Sequence, residues 1–282
     1  MPELPEVEIT ARLLGRALQG AIVESALAPG LNTLKTFAPP LAALEGLALT
    51  GVHRRGKHLV VEFDGGLALL IHLMSAGRLQ LYDTRASMRD RTSRLLIRLR
   101  DGRELRLREF GTKQAAWAKL LESTQLEADA ALASLGPEAW PEPPEDLAQR
   151  LAQPRPLYAA LRDQHVIAGI GRSWVDEILW TAQISPFKRG TDLSSQEVQA
   201  LREAIAITLG GALEHYEGTL ALPLPDKLPL PLAVHRHAGD PCPRCATKLE
   251  SVSFEDYVMS YCPICQTEGR VLKDRRLSRL LK

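Results

Sequence analysis

Apolar residues recur at helical spacing at the start of the chain, at Leu4, Val7, Ile9, Leu13, Leu14 and Leu18. The spacing predicts a helix over 4–19, ended by Gly20. From 21 to 120 the pattern turns short and alternating. HLVVEFDGGLALLIHL and RLLIRLRDGRELRLREF read as strand–turn–strand units, with Asp64-Gly65 and Asp101-Gly102 at the turns. In the second, arginine alternates with leucine, so arginine is expected on one sheet face and the core on the other. The acidic, proline-rich stretch GPEAWPEPPEDLAQ, residues 136–149, reads as an interdomain linker. Helical patterns follow at 146–152, 156–164, 172–183 and 194–216. Residues 222–241 hold too many prolines for a helix or a central strand and read as a partly extended loop.

Two domains, or two and a small appendage, fit a chain of 282 residues. With 45% hydrophobic and 24% charged residues it has the composition of a globular protein. No apolar stretch reaches the roughly 20 residues that span a bilayer. The opening MPELPEVE is too polar and acidic for a signal peptide. A cytoplasmic location without membrane contact is therefore expected. Net charge is only +1, but it is segregated. Residues 51–108 carry thirteen Arg and Lys against six acids, and 270–282 carry six basic residues against one acid. Such segregation suggests a basic face for a polyanion.

Cysteine occurs only at Cys242, Cys245, Cys262 and Cys265, as two C-x2-C pairs separated by sixteen residues. Each pair sets two thiolates on a tight turn, and two turns complete a tetrahedron, the closed geometry of structural zinc. One structural Zn2+ is expected, because nothing here resembles the βαβ unit of a redox dithiol. In LRDQHVIAGIGRSWVDEILW, residues 161–180, Gly169 and Gly171 precede a helix beginning near Arg172. Backbone N–H groups exposed there suit a phosphate, although a plain helical hairpin has the same pattern.

Taken together, PELPEVE, RRGKHLV, the turn with G-I-G and the four-cysteine module occur in an order that resembles the formamidopyrimidine-DNA glycosylase / endonuclease VIII family, over essentially the whole chain. The resemblance implies an α+β, multidomain fold: an N-terminal helix plus β-sandwich, a helical domain with a helix–two-turn–helix, and a C-terminal zinc finger. The expected divisions are 1–135, a linker at 136–147, 148–232 and 233–282. It implies a monomeric, nucleoid-associated base-excision-repair enzyme acting on double-stranded DNA with a damaged base or an abasic site. Its activity would be that of a bifunctional glycosylase/lyase on oxidised or ring-opened purines. Oxidised pyrimidines, bulky or crosslinked adducts, and non-catalytic binding of damaged DNA remain the alternatives.

The resemblance also assigns roles. Pro2, freed of Met1, would attack C1′ through its secondary amine; an α-amine has an ordinary pKa of about 7.7–8.0 and is partly uncharged at neutral pH. Glu3 would be the acid and base, and Glu6 would help position the lesion. Lys57 would contact phosphates. Phe110 matches an aromatic wedge, and Met74 a plug for the gap left by an extruded nucleotide, unless that column holds Ser75, since the family often reads H-L-G-M-S-G. Four departures stand out. Arg172 replaces an asparagine after the second glycine. Tyr257, after Glu255 and Asp256, replaces a hairpin arginine. Glu109 stands where an arginine would meet the orphaned base, and could accept from cytosine N4. The segment before the finger is shorter than a lesion-capping loop. These changes spare Pro2, Glu3 and Lys57, so intact amine chemistry with altered lesion choice is expected. The tail TEGRVLKDRRLSRLLK is expected either to dock on the protein or to touch DNA.

Overall fold

A computed structural model describes residues 2–87, 90–110, 114–254 and 257–272. Met1, Arg89, Glu255, Asp256 and the basic run beyond Leu272, which carried expectations above, lie outside the described residues. The chain forms two compact units, one of Met1–Ser134 with His215–Pro229, the other of Leu135–Glu214 with Leu230–Lys282. Residues 215–229 thus fold with the N-terminal unit, and the cysteine module with the helical one, rather than as the four consecutive segments expected from the sequence.

The first unit begins with α1 (Leu4–Leu18), whose first turn tolerates Pro5 because N–H groups there have no helical acceptor. Next in chain order come β1 (Val23–Leu27), β2 (Leu49–Arg55), β3 (His58–Phe63), β4 (Leu67–His72), β5 (Gly77–Tyr82), β6 (Ser93–Leu99), β7 (Glu104–Glu109), β8 (Trp117–Glu122) and the short helix α2 (Ala130–Ala133). The strands make two antiparallel four-stranded sheets, ordered β2-β3-β4-β8 and β1-β6-β7-β5. The β3–β4 and β6–β7 hairpins are the two strand–turn–strand units legible in the sequence. Register puts Leu79 and Leu95 opposite Leu107, and Leu81 and Ile97 opposite Leu105. These side chains join Leu59, Val61, Leu69 and Ile71 of the other sheet, and Val7, Leu14 and Leu18 of α1, in one core. Burying each such side chain contributes about 2 kcal/mol.

The opposite face of β5–β7 does not present a free basic surface. Its charges are matched inside the unit. Glu104, fully buried, takes Arg98 at 3.1 Å and Arg106 at 2.6 Å. Arg106 also donates to the Thr84 carbonyl, and its guanidinium lies 4.1 Å from the Tyr82 ring centre. Arg54 pairs with Glu8 at 2.9 Å, Arg103 with Asp101 at 2.6 Å, and Arg85 with Glu24. The excess of arginine over 51–108 is therefore in large part structural.

The second unit holds α3 (Leu147–Leu151), α4 (Leu157–Arg162), α5 (Arg172–Thr181), most of α6 (Ser195–Thr219), the hairpin β9 (Glu250–Ser253) and β10 (Val258–Tyr261), and α7 (Pro263–Thr267). Ser194 and Glu197 cap α6 reciprocally: Ser194 N–H donates to Glu197 Oε2 (2.9 Å), and Glu197 N–H to Ser194 Oγ (3.2 Å). Residues 136–147 are not a free tether. Gly136 N–H donates to the Gln164 carbonyl and Ala139 N–H to that of Ala168, with Ala139 fully buried.

Candidate active site

Glu3 is the N-cap of α1, and Glu6 stands three residues on, which makes a capping box: the Glu3 N–H donates to Glu6 Oε2 at 2.8 Å. Glu6 Oε1 accepts from the Tyr216 hydroxyl at 2.8 Å. Glu3, Glu6 and Tyr216 are all buried. Burial, followed by the charges of Glu6 and Glu3, pushes the Tyr216 hydroxyl well above its ordinary value, so it stays protonated and donates. Pro2 is buried beside this network. It lines a narrow cleft with Glu6, Arg78, Leu224, Pro225 and Leu228 among others. Burial lowers the Arg78 guanidinium, against the opposing effect of Asp226 and Glu6, the two carboxylates facing it.

Lys57 lies in the two-residue turn between β2 and β3, not on a strand, and is 8% exposed. The next rung of that sheet carries His58 opposite His72, and His72 opposite Trp117. Burial pushes His58 down to about 4; burial, then His58 and Lys57, push His72 down to about 3. Both rings are neutral at pH 7. Neutral His72 accepts the Met74 N–H at Nδ1 (2.9 Å), which leaves the proton on Nε2. Met74 has a left-handed backbone (φ 49°). The turn closes at Gly77, whose N–H donates to the Leu73 carbonyl (2.8 Å); a Cβ there would lie 2.4 Å from that oxygen, so only glycine fits.

Phe110 is 42% exposed, with the Arg108 guanidinium 4.5 Å from its ring centre. Its neighbour is a correction. Glu109 is 3% exposed, and its Oε1 accepts the N–H groups of Ala115 (2.7 Å) and Ala116 (2.9 Å). It braces the return of the chain after β7 and does not face outward to a base. Strand parity carried the signal: Glu109 shares the inward side of Leu105 and Leu107, and Phe110 the side of Arg108.

In the second unit Gln164 shapes the turn before α5. Its Oε1 accepts the Gly169 N–H (2.9 Å), and its Nε2 donates to the Ile170 carbonyl (2.8 Å). Gly169 takes φ 101°, Gly171 is the N-cap, and Arg172 is the first helical residue. Arg172 and Arg162 both lie over the Tyr257 ring, at 5.6 and 4.4 Å from its centre. Tyr257 stacks between Phe254 (4.4 Å) and Tyr158 (5.3 Å). Sequence reasoning missed Arg162 and Tyr158, which carry no motif.

The β9–β10 hairpin separates the two cysteine pairs. The four Sγ atoms lie within 4.8 Å of one another, with Cys242–Cys265 at 4.0 Å, Cys245–Cys262 at 3.4 Å and Cys245–Cys265 at 3.5 Å. A tetrahedral ion with bonds of about 2.3 Å to sulfur needs sulfur–sulfur edges of about 3.8 Å. The cluster could therefore hold one metal ion. Trp180 Nε1 donates to Cys242 Sγ (3.4 Å), an outer contact of the kind that orients ligands. Glu177 fastens the approach to the cluster through the N–H groups of Ala233, Val234 and His235, at 2.8–3.0 Å.

Comparison with known proteins places these features. The profile of the formamidopyrimidine-DNA glycosylase N-terminal domain matches residues 1–112, and that of the formamidopyrimidine-DNA glycosylase H2TH domain matches 135–223. The formamidopyrimidine-DNA glycosylase of Herpetosiphon aurantiacus is 32% identical over 94% of this chain and 100% of its own length. The chain belongs to the formamidopyrimidine-DNA glycosylase family. The formamidopyrimidine-DNA glycosylase of Chloroflexus aggregans is 35% identical over 94% of this chain and 98% of its own length. Among solved structures, the glycosylase of Lactococcus lactis in complex with DNA containing N7-benzyl-Fapy-dG is 25% identical with a TM-score of 0.84, covering 94% of this chain and 100% of that one. Among the described residues no helix is long and apolar enough to cross a membrane.

Proposed function

We propose that this chain is a base-excision-repair enzyme: it binds double-stranded DNA, removes damaged bases, and cuts the strand through the Pro2 amine. The coarser part rests on the family. Its named relatives are formamidopyrimidine-DNA glycosylases, and the Lactococcus lactis enzyme has been captured on damaged DNA. The observation that carries the finer part is the cleft in which buried Pro2, Glu6 and Arg78 meet.

With Met1 removed, the Pro2 nitrogen lone pair attacks C1′ of the damaged nucleotide. The C1′–N bond breaks, its electron pair leaves with the base, and the base takes up a proton; the Pro2 nitrogen then loses its own proton, and its lone pair opens the sugar ring by breaking C1′–O4′, O4′ taking up a proton. The iminium that remains acidifies C2′; loss of that proton expels the 3′ phosphate by β-elimination, and a further elimination at C4′ expels the 5′ phosphate. Glu3, next to the nucleophile, is the group that gives and takes protons at the sugar. Glu6 holds the Glu3 amide and the Tyr216 hydroxyl, and so keeps the helix start in position. Lys57, Phe110 and the turn residues Gly169, Gly171 and Arg172 act on the DNA. The left-handed backbone at Met74 supports an alignment in which Met74 fills a glycine column of H-L-G-M-S-G and exposed Ser75 the methionine column. The four cysteines suit one structural zinc ion, which would hold the hairpin together; with all four positions filled by thiolates it takes no part in the reaction.

Incubation of purified protein with an abasic-site duplex and borohydride should give a covalent adduct that peptide mass spectrometry maps to Pro2. Glu3→Gln should slow its formation by at least tenfold. DNA binding without an adduct, or an adduct on another residue, refutes the Pro2 mechanism.

A further inference from the structure

Pro2 and Arg78 line one narrow cleft, and the reaction proposed above uses only the first of them. Arg78 projects from β5, half-buried, and is the one cation among the described residues that line the cleft. Its guanidinium is held by backbone: Nε donates to the Asp226 carbonyl (2.7 Å) and Nη1 to the Gly77 carbonyl (2.6 Å). Among the described residues no carboxylate is in ion-pair contact with it; Asp226 and Glu6 favour its charge from farther away. A guanidinium does not deprotonate in a protein, so the cleft holds a fixed positive charge with no counter-ion in contact.

The nucleophile needs such a charge. Glu3 adjoins Pro2 in the chain, Glu6 lines the cleft beside it, and both are buried. Carboxylates next to an amine favour its protonated form, which has no lone pair with which to attack. The Tyr216 hydroxyl, protonated and donating to Glu6, brings no charge. Asp226 is a third carboxylate, with Arg108 at 3.4 Å on its far side. Of the groups that α1, β5 and residues 222–228 present to the cleft, Arg78 alone opposes protonation. We infer that Arg78 is a positioning residue that acts on Pro2 through charge: its guanidinium keeps the mature amine in the uncharged, nucleophilic form. The inference rests on the Pro2 reading for its use in catalysis, but the protonation of an amino-terminal amine can be measured without DNA.

The test titrates that amine in the full chain with Met1 removed, through the pH dependence of its acylation by acetic anhydride, mapped to the Pro2 peptide by mass spectrometry. Unit charges about 7 Å apart, at an effective dielectric constant of about 40 for a cleft open to water, shift a pKa by about one unit. Arg78→Gln should therefore raise the acylation midpoint by about one pH unit, and Arg78→Lys, which keeps the charge, should bring most of it back. Asp226→Asn removes an opposing carboxylate, keeps the carbonyl that holds Arg78, and should lower the midpoint. The opposite signs separate charge from loosening, which would move both variants the same way. With an abasic-site duplex and borohydride, Arg78→Gln should form the adduct up to about tenfold more slowly at pH 7 and recover most of that loss at pH 9. An unshifted midpoint in Arg78→Gln, with or without weaker DNA binding, overturns the inference, and so do shifts of one sign in Arg78→Gln and Asp226→Asn. Midpoints shifted as expected in a protein that forms no adduct overturn the Pro2 mechanism and leave the action of Arg78 on the amine standing.

Discussion

Tyr216→Phe isolates one atom of the proposed active site. The ring is fully buried, so phenylalanine keeps its packing and removes only the hydroxyl that donates to Glu6 Oε1 at 2.8 Å. Glu6 is 4% exposed, so water does not readily replace the lost donor. A hydrogen bond to a buried charged group contributes about 2 kcal/mol, and an orphaned carboxylate oxygen costs a similar amount. Because the chain forms two units, a single unfolding free energy is not well defined, and hydrogen exchange read by mass spectrometry resolves the first unit separately. Amides of α1 that exchange by opening of this unit should exchange about 30-fold faster in the variant, the factor corresponding to about 2 kcal/mol. A double-mutant cycle with Glu6→Gln should show a coupling of about 1 kcal/mol or more. Adduct formation should slow in parallel, since Glu6 also holds the Glu3 amide. Exchange within twofold of wild type, or additive single and double variants, refutes the reading of Tyr216 as the partner that holds Glu6.

Acid should destabilise the first unit in a window set by His58 and His72. Their folded values, about 4 and about 3, lie below the unfolded value of 6.5, so the unfolded chain binds more protons between them; stability is complete above about pH 6.5 and falls as pH drops toward 4 and 3. At pH 5 each ring costs about 2 kcal/mol relative to pH 7. In hydrogen exchange of strands β3 and β4 at pH 7 and 5, corrected for intrinsic exchange rates, the protection of His58→Phe should fall by about 2 kcal/mol less than that of wild type between the two, and identical pH dependence refutes the assignment. Metal analysis should find one zinc per chain, and a strong chelator should strip exchange protection from 242–267 while strands β3 and β4 keep theirs. Full protection of the hairpin in verified metal-free protein counts against a structural ion.

What could be read from the sequence was local. Helix α1 and the two hairpins follow from a change of period between 3.6 and 2, and the cysteine cluster from spacing within two tight turns. Partners distant in sequence left no such trace. Tyr216 and Glu6 are separated by 210 residues, and Gln80 and Asp226 by 146. The arginine face of β6 and β7 shows a second limit. Alternation predicts which side the arginines take, but not that Glu104, Thr84 and Tyr82 cover it. Glu109 was legible by strand parity, yet a motif comparison at that position directed attention to an outward-facing role.

The stretch 215–229 ties these results together. It leaves α6, supplies Tyr216 to Glu6, then crosses β5–β7 and supplies Asp226 to Arg78, Gln80 and Arg108. A single run of chain thus steadies the helix start that carries Pro2 and lines the cleft beside it. The hydroxyl of Tyr216 holds Glu6, and Asp226 holds Arg78 and Gln80, which line the same cleft as Pro2 and Glu6. The two anchors meet at Arg78, which both Glu6 and Asp226 face. Replacing Tyr216 by Phe and Asp226 by Ala together should therefore change the rate of adduct formation by a factor that departs from the product of the single effects, as expected of groups in one network, and a strict product refutes the coupling through Arg78.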